Sequence, residues 1–183
     1  MGLFDIFKKK KDEGPSYDPT NMKITDLKIG FFVDYDMTSW QVKGHSEYDW
    51  GNNNFSNEFK LSDGEKEVYL HIEQDAGLML TVAKPIKIRV LDEDIVETII
   101  EKKEPPKKLT YEGNKYFLDR ESVGYYKDTE KEHDDWDELM SWDYYTEEGD
   151  LTLGVMQWGE RDFEASSGRV VKEFEFSNIV PSE

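Results

Sequence analysis

The segment EVYLHIE, residues 67–73, shows most directly what kind of fold this chain adopts. Its three apolar residues alternate with four polar ones, so in an extended strand the two sets face opposite sides of a sheet. Turn residues bound it on both sides, SDG at residues 62–64 and AG at residues 76–77. A short alternating run between such turns is typical of a strand in an antiparallel meander.

Similar runs recur along the chain at intervals of about eight to twelve residues, the spacing of a sandwich or barrel. Two stretches resemble each other, since residues 59–82 and residues 142–165 each contain three strand-like runs joined by glycine turns. The sequence therefore predicts a mostly β chain, an antiparallel sandwich or barrel built from two similar meander halves.

Residues 91–108 allow two interpretations. Isoleucine and valine pairs spaced four apart, such as Ile95 with Ile99, favour a short helix. The β-branching of the same residues favours a strand. Pro105 and Pro106 end the element in either case.

Composition excludes several classes of protein. The 183 residues hold 41 acidic and 23 basic side chains, a net charge of −18, which argues against nucleic acid as a partner. With no cysteine, the chain has no disulfide, thiolate nucleophile or cysteine-bound zinc. It also lacks the run of about 18 apolar residues that would span a membrane. We expect a tail and linker at residues 1–20 and a single β-rich domain at residues 21–183.

The first eleven residues, MGLFDIFKKKK, differ from all that follow, with four lysines against one aspartate. Their apolar residues would share a helix face, which predicts a short N-terminal amphipathic helix that binds an anionic membrane surface. The membrane-binding residues would be Leu3, Phe4, Ile6, Phe7, Lys8, Lys9, Lys10 and Lys11. The alternative is a terminus that is frayed or docked on the protein's own surface.

Residues 128–150 carry eleven acidic side chains and one basic one, interrupted by tryptophans and tyrosines. Acids and aromatic rings together favour a small cationic ligand, although aromatic residues also serve as ordinary core and cross-strand packing. Residues 48–55 form the best candidate for a recognition loop with exposed rings. The ligand-binding candidates are Trp136, Trp142, Asp134, Asp135, Asp137, Tyr48 and Trp50.

Motifs for catalysis, metal binding and cofactor binding are not found. The chain has no nucleophile elbow, phosphate-binding loop or dinucleotide fingerprint, and its three histidines have no metal-ligand spacing. His71 shares a strand face with Tyr69 and Glu73, and we interpret it as a half-exposed strand residue. We therefore predict no catalytic residues, no metal site and no cofactor.

Seven short motifs follow one another in an order that resembles a known bacterial family. They are LKIG at 27–30, WQVKG at 40–44, YLHIE at 69–73, YEGNKY at 111–116, WDY at 142–144, MQWG at 156–159 and FEF at 174–176. Together they are similar to the bacterial domain-of-unknown-function family 4178 over about residues 26–179. The resemblance implies a β-rich domain without an assigned activity, in the company of bacterial envelope and membrane-stress systems.

Two functions from different classes follow from these observations. The first is a cytoplasmic, non-enzymatic accessory or interaction domain, tethered at the inner membrane surface by residues 1–11 and binding an unidentified protein partner. The second is a soluble β-barrel or sandwich that binds a small cationic ligand such as a polyamine or a metal ion. An unrecognised hydrolase is the third and weakest hypothesis.

Overall fold

The computed structural model describes residues 22–131 and 135–182, which form eleven strands and one α-helix. The strands are β1 Phe32–Tyr35, β2 Thr38–Asp49, β3 Phe55–Ser62, β4 Glu67–Glu73, β5 Met79–Ile86, β6 Lys108–Tyr111, β7 Asn114–Asp128, β8 Asp137–Tyr145, β9 Leu151–Gln157, β10 Phe163–Val171 and β11 Phe176–Val180. The helix α1 spans Ile95–Lys102, and short 3-10 turns lie at Ile24–Asp26, Ile88–Val90 and Glu173–Glu175.

All the strands belong to one antiparallel sheet. Strands β1 to β5 form one meander and β6 to β10 form a second. The two meanders join at β5–β10, and a further pairing of β2 with β7 closes eight strands into a ring. The predicted mostly β fold is confirmed, and β1, β6 and β11 extend the sheet beyond the ring.

Each meander buries an apolar cluster. The first contains Trp40, Leu61 and Ile72, and residues Ile24 and Leu27 pack against them. The second contains Trp142, Tyr144, Leu153 and Val155, and Leu91, Ile95 and Ile99 pack against them. In each meander, the segment that precedes the first strand thus packs over the apolar face of the meander.

The segment left open by the sequence is resolved as a helix. Residues Ile95 and Ile99 of α1 are buried in the second cluster, so tertiary burial of one helix face outweighs their β-branched preference. Lys103 ends the helix in a left-handed conformation, with φ of 59°. The predicted N-terminal amphipathic helix lies outside the described residues.

Candidate functional site

Arg120 crosses the interior of the ring. It lies on β7, and its guanidinium donates to both carboxylate oxygens of Glu73 on β4, at 3.0 and 2.6 Å, and from Nε to Asp143 on β8 at 2.9 Å. Strands β4 and β7 are not neighbours in the ring, so this contact passes through its interior. The ring therefore encloses charged groups.

His71 extends this network along β4. Its Nδ1 lies 3.8 Å from Glu58 and its Nε2 lies 3.6 Å from Glu73, and its side chain is only 20% exposed. Burial alone would lower the pKa of His71, but the two carboxylates raise it to about 9. Burial raises the pKa of Glu73, while His71 and Arg120 together lower it to about 2. His71 therefore carries a positive charge at neutral pH, between two carboxylates.

The interior network does not balance its charges. In the ion pairs of the described residues, Glu58, Glu73 and Asp143 meet two cations, His71 and Arg120, which leaves one negative charge uncompensated when all five are ionised. Burial raises the pKa of Asp143, and Arg120 opposes this shift. A surplus negative charge in a partly dry interior favours the entry of a cation.

A cavity of about 760 Å³ opens from this interior, within the usual range of ligand pockets. Each of the eight ring strands contributes to its wall, so the closure of the ring creates it. Its principal lining side chains are Tyr48, Glu58, Tyr69, Tyr126, Met156, Trp158, Phe163 and Glu164. The residues Lys84, Lys87, Lys131, Asp137 and Asp162 also line it.

Tyr48 organises the aromatic part of the cavity wall. Its ring stacks on Trp50 at 5.4 Å and meets the edges of His71 and Tyr126 at 5.4 and 5.3 Å. Its hydroxyl donates to Glu58 at 3.3 Å. Burial first, and the charge of Glu58 second, raise the pKa of Tyr48 well above its ordinary value. The wall thus presents a fixed, neutral phenol beside a carboxylate.

Trp158 adds a second aromatic face to the cavity. Its ring lies 5.0 Å from that of Tyr126, at an angle of 75°. Its indole N–H is buried and has no hydrogen-bond acceptor in the described part of the chain. An edge-to-face arrangement of this kind allows an N–H to point at an aromatic ring, a weak substitute for an acceptor.

The ligand-binding residues proposed from the acidic stretch are dispersed by the structure. Trp142 is 1% exposed in the second apolar cluster, where its indole donates to Glu121 at 2.8 Å. Trp136 is 38% exposed, with the Lys127 ammonium 5.8 Å from its ring centre. Trp142 is therefore a core packing residue, which was the alternative to ligand binding that we considered for the aromatic residues.

The acidic residues of that proposal also separate. Asp137 lines the cavity and lies 3.9 Å from Lys131, whereas Asp135 is exposed and is not part of the cavity wall. Asp134 lies outside the described residues, as do the predicted membrane-binding residues of the tail. Among the acidic candidates, the structure brings only Asp137 to the cavity wall.

Tyr48 and Trp50 come together, but not as exposed rings of a loop. Tyr48 is 2% exposed within β2, which contradicts the expected exposure and places it in the cavity wall. Trp50 packs on it and donates to Ser56 Oγ at 2.8 Å. The rings thus form part of the interior, while Phe55 at the other end of the segment is 52% exposed.

Sequence reasoning missed Glu58, Arg120 and Tyr126 as site residues. The alternation of polar and apolar residues in β4 placed His71 on the face opposite the core. This alternation was the sequence signal from which the site could have been found. The interpretation of His71 as a half-exposed strand residue assigned the polar face to solvent, but in the structure this face points into the ring.

Two other kinds of site are absent from the described residues. Across residues 22–131 and 135–182, no set of three or more His, Asp or Glu side chains is arranged to hold a metal ion. Among the helices in those same ranges, none has the length and apolar character that crossing a bilayer requires.

The fold and the cavity define an all-β domain whose closed ring of strands surrounds a polar, ligand-sized interior. The chain belongs to the family described as Domain of unknown function (DUF4178), which matches residues 28–173. It is also 23% identical, over 99% of both chains, to a protein of Aquifex aeolicus (strain VF5) described as an uncharacterized protein. No solved structure matches the chain.

Proposed function

We propose that this protein is a binding domain for a small organic cation, which it holds in the cavity inside the ring. The observation that carries the proposal is the Glu58 carboxylate, set in a cavity of about 760 Å³ among the rings of Tyr48, Tyr69 and Tyr126. Aromatic faces and a carboxylate together are the groups that recognise ammonium ligands.

The charge of the interior supports a cation over an anion or a neutral ligand. One negative charge of the network is uncompensated, and Glu58, which belongs to this network, lines the cavity with a half-buried carboxylate. The other charged groups of the wall are exposed, so solvent screens their charges more than that of Glu58; they are Lys84, Lys87, Lys131, Asp137, Asp162 and Glu164. An alkylammonium, including one end of a polyamine, matches this distribution.

Calorimetric titration of the full chain with tetramethylammonium, butylammonium and putrescine tests the proposal. We expect saturable binding that weakens at least tenfold in Glu58→Gln, because the variant removes the cavity's half-buried carboxylate. The matched control is Glu65→Gln, which neutralises an exposed acid in the turn between β3 and β4. If all three probes fail to bind, or if both variants bind as tightly as the wild type, the proposal is wrong.

We also propose, from the sequence of residues 1–11, that the protein is tethered at an anionic membrane surface as an accessory domain. Apolar residues followed by four lysines are the support for this second function. The full chain should co-sediment with phosphatidylglycerol vesicles, and Phe4→Asp/Phe7→Asp should lose this binding. Equal sedimentation of the two proteins would contradict the tether.

A further inference from the structure

We propose that the cation and a proton on His71 compete for Glu58, so that the protein releases a proton when it binds its ligand. The inference rests on the proposed function and concerns the regulation of the same site. It follows from the geometry, because one oxygen of Glu58 faces His71 at 3.8 Å and the other accepts a hydrogen bond from Tyr48 in the cavity wall.

The surroundings of His71 explain why its proton would respond to a ligand. From β3 it faces Glu58, from its own strand it faces Glu73, and from β2 it meets the ring of Tyr48 at 5.4 Å. The charges of β7 and β8 act through Arg120, which pairs with Glu73, and through Asp143. The partner strand β5 brings the uncharged Thr81 opposite it.

Of the two carboxylates that face His71, only Glu58 belongs to the cavity wall. Glu73 is already held by Arg120 through two hydrogen bonds. A ligand cation beside Glu58 would take part of the attraction that keeps the imidazole protonated and would repel its positive charge. The imidazolium then loses a proton to the buffer, and the charge of the ligand takes the place of the proton's charge, so the net charge of the network and ligand together is unchanged.

The coupling has a definite sign. Since the protonated imidazole opposes the cation, affinity should rise with pH, by at most about tenfold per pH unit for one linked proton. The rise should level off above about pH 9, where His71 is neutral in the free protein as well. Reciprocally, the ligand should shift the titration of His71 to lower pH.

Tetramethylammonium is the probe for this test because it has no proton of its own to lose. Titrations of the full chain at pH 7.5 in phosphate and in the zwitterionic buffer HEPES, whose ionisation enthalpies differ, count the released protons directly. We expect between half a proton and one proton per bound cation, and an affinity that rises between pH 6.5 and 9.

Two histidine variants test whether the released proton comes from His71. His71→Gln should bind tetramethylammonium independently of pH and more tightly than the wild type at pH 6.5. His45→Gln should keep the pH dependence, because His45 stacks on Phe59 and bonds to Asn57 outside the cavity wall. If His71→Gln does not fold, the titration of His71 in the wild type, followed by NMR with and without the probe, replaces it.

The outcomes separate this inference from the proposed function. Binding without proton release, or proton release that survives in His71→Gln, overturns the inference and leaves the cation site in place. The absence of binding by any of the three cations overturns the proposed function and the inference with it. An unchanged NMR titration of His71 in the presence of bound probe also contradicts the coupling.

Discussion

Arg120 holds two carboxylates at once inside the ring, and its replacement tests how much the interior network contributes to stability. Arg120→Met leaves Asp143 without its cation and removes one of the two that Glu73 has. We expect a loss of about 2–3 kcal/mol in the free energy of unfolding, since a buried charge without a partner is costly. Urea denaturation measures it.

The matched control for this prediction is Arg161→Met. Arg161 makes a bidentate pair with Glu97 at 2.7 and 2.8 Å, but both side chains are more than half exposed. An exposed pair contributes at most about 1 kcal/mol. Equal losses in the two variants would show that the interior network has no special contribution.

The titrations of His71 and Glu73 predict how stability depends on pH. His71 has a pKa of about 9 in the folded protein against 6.5 for the free side chain, so its contribution is full below pH 6.5 and is lost as pH rises through 9. Glu73, with a pKa of about 2 against 4.5, contributes above pH 4.5 and loses this contribution as pH falls toward 2.

Stability should therefore be highest between pH 4.5 and 6.5 and should decline toward pH 9 by at most about 3 kcal/mol. Urea denaturation at intervals of one pH unit measures this profile. In His71→Gln the decline between pH 6.5 and 9 should disappear. A wild-type profile that is flat in this interval would refute the assignment of a charged His71.

At the scale of single elements, β7 has room for Trp50 only because residue 124 is glycine. A Cβ at Gly124 would lie 2.6 Å from the Trp50 ring and 2.9 Å from the Asp49 carbonyl oxygen. We expect Gly124→Ala to destabilise the protein by about 1–3 kcal/mol, to displace Trp50 from Tyr48 and to change tryptophan fluorescence.

Gly159→Ala provides the comparison for this substitution. Its Cβ would meet only Asp162 Cβ, at the ordinary distance of 3.7 Å. The free energy of unfolding of this variant should lie within about 0.5 kcal/mol of the wild-type value. If Gly124→Ala behaves in the same way, the close approach of β7 and Trp50 is not required.

The end of helix α1 offers a stabilising substitution. Lys103 adopts φ of 59°, a conformation that glycine reaches without the steric cost of a Cβ. Lys103→Gly should therefore raise the free energy of unfolding by about 0.5–1 kcal/mol. The introduction of glycine two residues earlier, within the helix, as Glu101→Gly, should lower it by about 1 kcal/mol. Thermal denaturation of both variants checks the sign, and a destabilising Lys103→Gly would contradict the interpretation.

On the scale of the whole molecule, the ring closes at two seams of unequal length. Strands β2 and β7 pair over four residues each, Ser46–Asp49 with Tyr125–Asp128, whereas β5 and β10 pair over seven. We expect the shorter seam to open first, because fewer hydrogen bonds must break. Native-state hydrogen exchange should show weaker protection at β2–β7 than at β5–β10. Equal protection would mean that the ring opens as a unit.

The sequence predicted the local structure of this fold better than its closure. Alternation within single strands, as in residues 67–73, depends on neighbours in the chain and could be interpreted directly. The contact between Arg120 and Glu73 joins residues 47 positions apart, and no local period signals it. Because the polar face of β4 was assigned to solvent, the site inside the ring was not predicted. The ligand site was predicted in the acidic stretch of residues 128–150 instead.

The joining of two meanders has a consequence for what each of them could keep alone. The first meander supplies Glu58, His71 and Glu73 to the interior, and the second supplies Arg120 and Asp143. Separated from the first meander, Arg120 would keep Asp143 but would lose Glu73. The charged interior is therefore a property of the closed ring, which neither meander carries by itself.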